Sequence, residues 1–508
     1  MLINAEGRRI STAGVDRTCA AVARELRRRG MNEKSRVLLT GENSEEFILV
    51  LFALMECGVS VALADRRLPA AQQAALAAAA GADRILTDTR LPDAATGQEL
   101  LSDLVDAADA DLADAGEPRY TGDAGGALPG PAGSERWFAR EDALIVWSSG
   151  STGAPKGIVR SGASVRANVE RTADRMAYRS DDVLLPLLPF THQYGLSMLL
   201  LWRLTGATLV LRTSSQRVDR ALDAIRDQGV TVVDAVPATY TTLLNLVDGA
   251  RAGKSDIGTV RMWCVGGEPL GRELDERFTR TVGSPLLDGY GSSEAGNIAL
   301  AVHPSPRGSG RPLDGIGVRV LDDTGREVPT GETGEIVVRS PDYMTGLLGP
   351  GGVVLPVERE EYRTDDIGRL DADGNLTVLG RKDAVHRNGF TLYPDSIADR
   401  AGACGARVRV VAVQGGRDDR VQLVFFVADP TGRPAARWRR ELARCVAEHE
   451  RPNRVVVLRE FPLNNTGKVD RRALRDMALL ETASRNTAPH RNPEREPVAR
   501  NSTRGILR

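Results

Sequence analysis

The stretch Trp147-Ser-Ser-Gly-Ser-Thr-Gly-Ala-Pro-Lys-Gly157 is the most informative part of this sequence, with three glycines, four hydroxyl residues and one lysine. The apolar run Ala143–Trp147 that leads into it predicts a short buried strand. A Gly/Ser/Thr loop after a strand offers backbone N–H groups and hydroxyls to an anion, and Lys156 adds a positive charge. The pattern therefore favours phosphate binding over a surface turn. It is not a Walker loop, because Pro155 stands where that motif has glycine before the lysine.

Further motifs follow in a fixed order: Gly266-Gly-Glu-Pro-Leu270, Asp288-Gly-Tyr-Gly-Ser-Ser-Glu294, Tyr362-Arg-Thr-Asp-Asp366, Gly380-Arg-Lys-Asp383 and Pro462-Leu-Asn-Asn-Thr-Gly-Lys-Val-Asp-Arg471. From about residue 10 to about residue 476, the chain resembles the AMP-forming adenylating superfamily of acyl- and aryl-CoA synthetases, adenylation domains and beetle luciferases. The resemblance implies an α/β fold. It also implies a large multi-subdomain N-terminal domain and a small mobile α+β C-terminal domain.

Composition bounds the class of protein. A chain of 508 residues with 42% hydrophobic content is long enough for two or three globular domains. Its 67 basic and 68 acidic residues nearly cancel, so charge gives no support for a nucleic-acid or membrane partner. The five cysteines lack CxxC spacing, which argues against a disulfide framework or zinc site. Without a signal pattern or a membrane-length apolar window, we expect a cytoplasmic protein.

Strand and helix signals alternate from the N-terminus, as in an α/β fold. We predict a helix over 15–30, a strand over Arg36–Thr40 and a helix over Ser44–Cys57. Residues 99–123 carry eight acidic residues and one basic residue, and we interpret them as a solvated loop or frayed helix.

The expected domains are 1–381, which binds ATP and the acyl group, and 382–480, which is mobile. In the second domain, we predict strands over 407–413 and 421–428 and a helix over 434–449. Residues 481–508 have little apolar content and predict a disordered tail.

Adenylation requires a carboxylate to attack the α-phosphate of ATP, so the site must neutralise charge on both reactants. The resemblance implies that the leaving pyrophosphate is held by Ser149, Ser151, Thr152, Gly153 and Lys156. It places the rest of the nucleotide on Gly267, Glu268, Asp288, Gly289, Tyr290, Ser293, Asp366 and Arg381.

The resemblance also implies individual roles in nucleotide binding. Tyr290 would offer a flat face to adenine, and Asp288 would accept a hydrogen bond from the purine amino group. Asp366 would accept hydrogen bonds from the ribose hydroxyls, and Arg381 would contact ribose or phosphate. Asp365 departs from the family pattern, which has glycine there.

Two further residues are implied for the phosphates and their metal. Glu294 is the implied ligand of a magnesium ion that offsets the triphosphate charge. Ser293 stands where threonine is common and keeps the hydroxyl for a phosphate contact.

Lys468 is implied to be the catalytic lysine, because its neighbours match the C-terminal lysine motif of the family. An ammonium between carboxylate and α-phosphate lowers their repulsion. Since Lys468 belongs to the small domain, domain closure must complete the site. The family pivot maps to Asp383, and Gly389 would let a pantetheine arm pass close to the backbone. His386 departs from the family's common lysine, which leaves the acceptor more open than the first step.

The acyl pocket is implied by the segment Pro189–Gly195. Thr191 stands where amino-acid-activating relatives have aspartate, so an α-amino acid is not expected. His192 is implied to line or gate the pocket and to act in catalysis. By the same resemblance, the pocket is lined by Ala235, Cys264, Gly266, Gly289, Asn297 and Ile298. This mostly small and apolar set suits an aromatic or medium-sized acyl group.

Asp234 interrupts the apolar run Val230–Val233. We interpret it as the solvent-facing end of a strand, because a buried carboxylate needs a partner. The alternative is that it faces the pocket and binds an amine on the substrate, such as an amino-aryl or β-amino acid.

Together these features predict an ATP-dependent ligase that converts an aryl or acyl acid to acyl-AMP and transfers it to the thiol of CoA. ATP and Mg²⁺ are the expected cofactors, and CoA is the expected co-substrate. The first alternative is a stand-alone enzyme that loads the phosphopantetheine of an acyl carrier protein, or another nucleophile. The second alternative is an inactive nucleotide-binding homologue. The presence of Lys156, Glu294, Asp366, Arg381 and Lys468 argues against it.

Overall fold

The computed structural model describes residues 1–92, 97–116, 133–148, 155–212, 218–248, 257–304, 308–322, 324–358, 361–381, 385–387, 390–392, 394–414, 421–462 and 469–483. Its α-helices are α1 Thr12–Arg28, α2 Glu45–Glu56, α3 Ala70–Ala80, α4 Leu101–Asp114, α5 Glu135–Phe138, α6 Gly162–Met176, α7 Gln193–Thr205, α8 Val218–Gln228, α9 Pro237–Asp248, α10 Arg272–Val282, α11 Pro394–Ala401, α12 Ala435–Leu442 and α13 Arg471–Ala483. Within these residues, no helix combines the length and the apolar character needed to cross a membrane.

The β-strands are distributed along the whole chain. They are β1 Leu2–Ile3, β2 Arg9–Ile10, β3 Arg36–Thr40, β4 Ser60–Ala64, β5 Arg84–Thr87, β6 Gly97–Leu100, β7 Leu144–Ser148, β8 Lys156–Arg160, β9 Val183–Pro186, β10 Thr208–Val210, β11 Val232–Ala235, β12 Met262–Gly266, β13 Leu287–Ser292, β14 Gly296–Leu300, β15 Arg311–Pro312, β16 Gly317–Leu321, β17 Gly334–Arg339, β18 Gly346–Leu348, β19 Val354–Pro356, β20 Tyr362–Leu370, β21 Leu376–Arg381, β22 Val385–Arg387, β23 Phe390–Leu392, β24 Arg407–Gln414, β25 Val421–Ala428 and β26 Arg454–Leu458.

Two large sheets organise the N-terminal part. The first has the order β15-β14-β13-β12-β11-β9-β10-β1-β2, and its strands from β13 to β10 run parallel. The second has the order β19-β18-β8-β7-β4-β3-β5-β6, with β3 to β7 parallel at its centre. Helices between the parallel strands supply the crossovers that parallel pairing requires. This confirms the α/β class.

Smaller sheets complete the chain. Strands β16, β17, β20 and β21 pair as an antiparallel sheet that ends at Arg381. After that residue, β22 pairs with β23, and β24, β25 and β26 form a separate sheet packed with α11 and α12. Helix α13 ends at Ala483, so residues 481–483, predicted to start the disordered tail, are helical. The rest of that predicted tail, 484–508, lies outside the described residues.

Local sequence signals explain several element boundaries. The predicted strand Arg36–Thr40 is confirmed as β3. Helix α2 begins after Ser44, whose side chain accepts a hydrogen bond from the backbone N–H of Phe47 as an N-cap. Helix α1 begins in the same way after Ser11, whose hydroxyl accepts from the N–H of Gly14.

One prediction about a helix was wrong, and another was only partly right. In the acidic segment, expected to be a solvated loop or frayed helix, residues 101–114 do form a helix, α4, but Leu101, Leu104, Val105, Ala108 and Leu112 give it a buried apolar face. The helix predicted over 434–449 ends at Leu442. Beyond it, the carboxylate of Glu450 turns back to accept a hydrogen bond from the N–H of Ala447 at 3.0 Å, which replaces helical pairing.

Candidate active site

A cavity of about 740 Å³ opens at the carboxyl ends of β9, β11, β12 and β13. In open α/β sheets, ligands bind at this edge, because the loops that leave parallel strands converge there. The volume is in the range of small-molecule sites. Most of the predicted site residues that the structure describes lie on the wall of this cavity. They are His192, Cys264, Gly266, Gly267, Glu268, Asp288, Gly289, Tyr290, Ser293, Glu294, Asn297 and Asp366.

Tyr290 and Asp366 join two sheets at one end of the cavity. The Tyr290 hydroxyl, on β13, donates a hydrogen bond to Oδ2 of Asp366, on β20, at 2.6 Å. Burial and the nearby Asp366 charge raise the pKa of Tyr290, so the phenol keeps its proton. The two groups predicted to face adenine and ribose are therefore adjacent and connected.

Asp288 lies near the start of β13 in a nearly enclosed position. Ser309 donates its hydroxyl to Oδ2 of Asp288 at 2.7 Å. Burial raises the pKa of Asp288 to about 6, against the hydrogen bond from Ser309, which lowers it. The carboxylate is a well-held hydrogen-bond acceptor, which is what recognition of an amino group requires.

Glu294 lies in the loop between β13 and β14. Its carbonyl oxygen accepts a hydrogen bond from the backbone N–H of Met344 at 2.7 Å, and Ser292 and Tyr362 bond through their hydroxyls, also at 2.7 Å. Among the described residues, no group of three or more His, Cys, Asp or Glu side chains could hold a metal ion. A single carboxylate still fits Mg²⁺, which keeps several waters and is bound through one or two carboxylates plus substrate phosphates.

The phosphate loop is only partly described. Lys156 begins β8, is exposed, and pairs with Ser148 across the β7–β8 hairpin. Arg381 ends β21, where its backbone pairs with Asp366. The other predicted residues of the phosphate loop, Ser149, Ser151, Thr152 and Gly153, lie outside the described residues. So do the predicted pivot Asp383, the predicted thiol-channel residue Gly389 and the predicted catalytic residue Lys468.

The other end of the cavity is apolar and closely packed. A Cβ on Gly266 would lie 3.1 Å from the ring of Tyr194, so glycine leaves room for that ring. Gly267 has φ +88°, which favours glycine. The side-chain amide of Asn297 donates to the hydroxyl of Thr172 at 3.0 Å.

His192 makes a contact that the sequence did not indicate. Its Nε2 lies 3.1 Å from Oδ2 of Asp65, a residue that follows β4 in the other large sheet. Burial alone would raise the pKa of Asp65, but hydrogen bonds and charge from His192 and Arg67 lower it below its usual value. The two sheets are thus joined at the mouth of the cavity by a charged cluster.

The prediction that Asp234 faces solvent was wrong. Its side chain is buried and lines the cavity, and Tyr194 donates its hydroxyl to Oδ1 at 2.9 Å. Because successive strand side chains alternate between faces, Ala235 points the other way.

Two residues predicted to line the pocket are absent from its wall. Ala235 packs in the core behind β11, with Val233 and Tyr240. Ile298 packs in the core between β14 and the antiparallel sheet, with Leu313 and Ile336. Both side chains are fully buried, so they pack behind the cavity wall and are not part of its surface.

The C-terminal part of the chain covers one side of the cavity. Phe390, on β23, and His449 line it and stack with ring centroids 3.8 Å apart. The guanidinium of Arg67 lies 4.7 Å from the centroid of the Phe390 ring, and Gln72 donates to the carbonyl of Cys445 at 2.8 Å. The hairpin that contains the 385–392 segment therefore lies against the cavity.

The sequence model of the AMP-binding enzyme family matches residues 1–348. The chain belongs to this family, and it is an AMP-forming enzyme of the acyl- or aryl-CoA ligase-like class. It is 27% identical to 4-coumarate–CoA ligase 5 of Oryza sativa subsp. japonica, over 94% of this chain and 90% of that protein. It is 32% identical to indoleacetate–CoA ligase of Aromatoleum aromaticum, over 68% and 69%.

A solved structure has the same fold. The o-succinylbenzoate CoA synthetase of Bacillus subtilis superposes with a TM-score of 0.76 at 21% identity, covering 94% of this chain and 95% of that one. At this identity, the likeness shows the fold, a large N-terminal part followed by a small C-terminal part.

Proposed function

We propose that this protein activates an aryl or acyl carboxylic acid with ATP and transfers it to the thiol of CoA. The observation that carries the proposal is one continuous cavity with two chemically different ends. One end presents Asp288, Tyr290, Glu294 and Asp366 for a nucleotide. The other presents a mainly apolar wall, which also carries Asp234, for an acyl group. Their continuity lets a carboxylate reach the α-phosphate of a bound ATP.

In the first step, a carboxylate oxygen attacks the α-phosphorus, the acyl–phosphate bond forms, and pyrophosphate leaves. The linked Tyr290 and Asp366 hold the nucleoside, and Lys156 lies at the start of β8 to neutralise the leaving phosphates. Lys468 is the candidate for the ammonium that stabilises charge at phosphorus. Mg²⁺, held by ATP with Glu294 as its candidate ligand, would supply further neutralisation.

In the second step, a thiol sulfur attacks the acyl carbonyl, the thioester forms and AMP leaves. The position of Phe390 on the cavity wall supports this step, because Phe390 directly follows Gly389, the candidate for the thiol channel, in the sequence. Rotation about Asp383 would exchange this segment with the one that carries Lys468. The CoA ligases among its relatives support CoA as the acceptor.

The experiment that tests this function measures pyrophosphate release with ATP and Mg²⁺ across a panel of carboxylic acids, each with and without CoA. Acid-dependent release together with acyl-CoA supports the ligase. Release with acyl-AMP alone moves the acceptor to a carrier-protein phosphopantetheine or another nucleophile. Absence of acid-dependent release from the full panel, with ATP bound, would favour an inactive nucleotide-binding protein.

A further inference from the structure

The buried carboxylate of Asp234 lies on the cavity wall with one oxygen unused. Tyr194 donates to Oδ1, but Oδ2 has no hydrogen-bond partner among the described residues. Only 1% of the residue is exposed. A buried polar atom without a partner costs free energy that is recovered when a donor arrives. The free oxygen therefore indicates a ligand group that donates to it.

The position of Asp234 places that donor away from the reacting end of the substrate. Asp234 on β11 is separated by the intervening strand β12 from Asp288 on β13, in the nucleotide end of the cavity. With neighbouring strands about 4.8 Å apart, the backbones of β11 and β13 are separated by roughly 10 Å. The donor is therefore expected on the acyl part of the substrate rather than on the nucleotide.

The surroundings of Asp234 call for positive charge. The titratable groups on neighbouring elements that interact with it are Tyr178, Tyr194 and Cys264, together with Tyr240 on the opposite face of β11. Burial raises the pKa of each of them, so all stay neutral near pH 7. Burial also raises the pKa of Asp234 to about 7, while the hydrogen bond from Tyr194 lowers it. Among the described residues, no cationic side chain acts on that pKa, so an ammonium group on the ligand would be the charge that stabilises the ionised form.

We infer that Asp234 is the specificity determinant for a substrate acid that carries a protonated amine at the β-position or farther from its carboxylate, with the ammonium bound to Oδ2. This inference rests on the proposed acid activation. Thr191, also on the wall, offers a hydroxyl and no charge, so the recognised amine is the one that reaches Asp234. An ammonium here pairs with a carboxylate that Tyr194 already orients.

The first test uses matched acids with the full-length protein, ATP and Mg²⁺. Each pair shares a skeleton: 4-(aminomethyl)benzoate with 4-ethylbenzoate, and 3-amino-3-phenylpropanoate with 3-phenylbutanoate. In at least one of the two pairs, the wild-type kcat/KM for pyrophosphate release should be at least about 30-fold higher with the amine than with its neutral partner. This factor is in the range for a buried charge pair. Asp234→Asn, which keeps the shape, should abolish that preference. Asp322→Asn, the same change at an aspartate that follows β16 and is absent from the cavity wall, should keep it.

The second test measures binding without turnover. Calorimetric titration of the amine acid near pH 6.5, in buffers of different ionisation enthalpy, should show release of a proton from Asp234 on binding. Asp234→Asn should show none. Circular dichroism and thermal unfolding establish that the variant is folded, and Tyr194→Phe provides a second perturbation of the same carboxylate, expected to weaken the amine preference.

Two outcomes separate failure of the inference from failure of the proposed function. If neutral acids release pyrophosphate at least as well as amines, and Asp234→Asn leaves the ratio unchanged, the function stands and the inference is wrong. If no acid turns over but the amine binds with Asp234-dependent proton release, the inference stands and the function is wrong. Absence of both signals overturns both.

Discussion

The hydroxyl of Tyr290 donates to Oδ2 of Asp366 at 2.6 Å, and this bond joins the large parallel sheet to the small antiparallel sheet at the nucleotide end of the cavity. Tyr290→Phe should raise the KM for ATP by about 10-fold and leave the KM for the acid nearly unchanged, because a hydrogen bond to a charged group contributes about 1.5–3 kcal/mol. Steady-state kinetics with each substrate varied would measure this. A double-mutant cycle with Asp366→Asn should show coupling, and additive effects would contradict the link.

Lys468 is predicted to stabilise the charge that develops at the α-phosphorus. Lys468→Ala should lower acid-dependent pyrophosphate release by at least about 100-fold while ATP still binds, as expected for loss of transition-state electrostatics. Pyrophosphate release and ATP titration calorimetry measure the two properties. Lys34→Ala, at an exposed lysine remote in sequence, is the matched control. Unchanged pyrophosphate release in Lys468→Ala would remove its assigned role.

Asp383 is predicted to be the pivot between the two half-reactions. Asp383→Pro restricts φ at this position and should spare acyl-AMP formation while blocking thioester formation. The measurement compares pyrophosphate release without CoA and acyl-CoA production with it. Asp383→Ala removes the side chain without locking φ, so it should retain more thioester formation than Asp383→Pro. Equal loss of both half-reactions in Asp383→Pro would contradict the assignment.

Asp365 has φ 60°, in the left-handed region that glycine favours. The chain thus retains the turn next to Asp366 although aspartate replaces the family glycine. Asp365→Gly should leave the free energy of unfolding within about 1 kcal/mol of wild type, whereas Asp365→Val should lower it by about 1–2 kcal/mol relative to glycine. Urea unfolding of both variants would measure the difference. Equal stability of the two would show that the turn tolerates a change of φ.

Asp234 should make stability depend on pH in a defined direction. Its pKa is about 7 in the folded protein, against an ordinary value of 3.8. Between these values, the folded chain holds a proton that the unfolded chain releases, so its stability falls as the pH rises from about 4 to about 7. The loss is on the order of 4 kcal/mol, at about 1.4 kcal/mol per pKa unit.

The comparison of wild type with Asp234→Asn isolates this effect from that of Asp288, whose pKa burial also raises. The variant should gain stability relative to wild type as the pH rises from 5 to 8, because it has no carboxyl group to ionise. Thermal unfolding at several pH values would measure the gap. A gap that stays constant with pH would mean that the Asp234 carboxyl does not change its pKa on folding.

Much of the architecture was readable from local patterns. The strand Arg36–Thr40 begins and ends as predicted. Ser44 caps the following helix, because its side chain accepts a hydrogen bond from the backbone N–H of Phe47. The helix predicted over 434–449 was cut short at Leu442, since Glu450 bonds to Ala447 and Arg400 instead of extending the helix. That competition depends on Arg400, which is distant in sequence.

The sequence by itself determined the ordered phosphate, adenine, ribose and lysine motifs, and with them the AMP-forming class, because each motif is a local run whose chemistry does not depend on distant residues. The tertiary structure alone decided which face of β11 borders the cavity. Period-two alternation separates Asp234 from Ala235, but only the packing of α7 against the sheet puts Tyr194 beside Asp234. The tertiary structure likewise brings His192 next to Asp65, because the two residues follow strands of different sheets, β9 and β4.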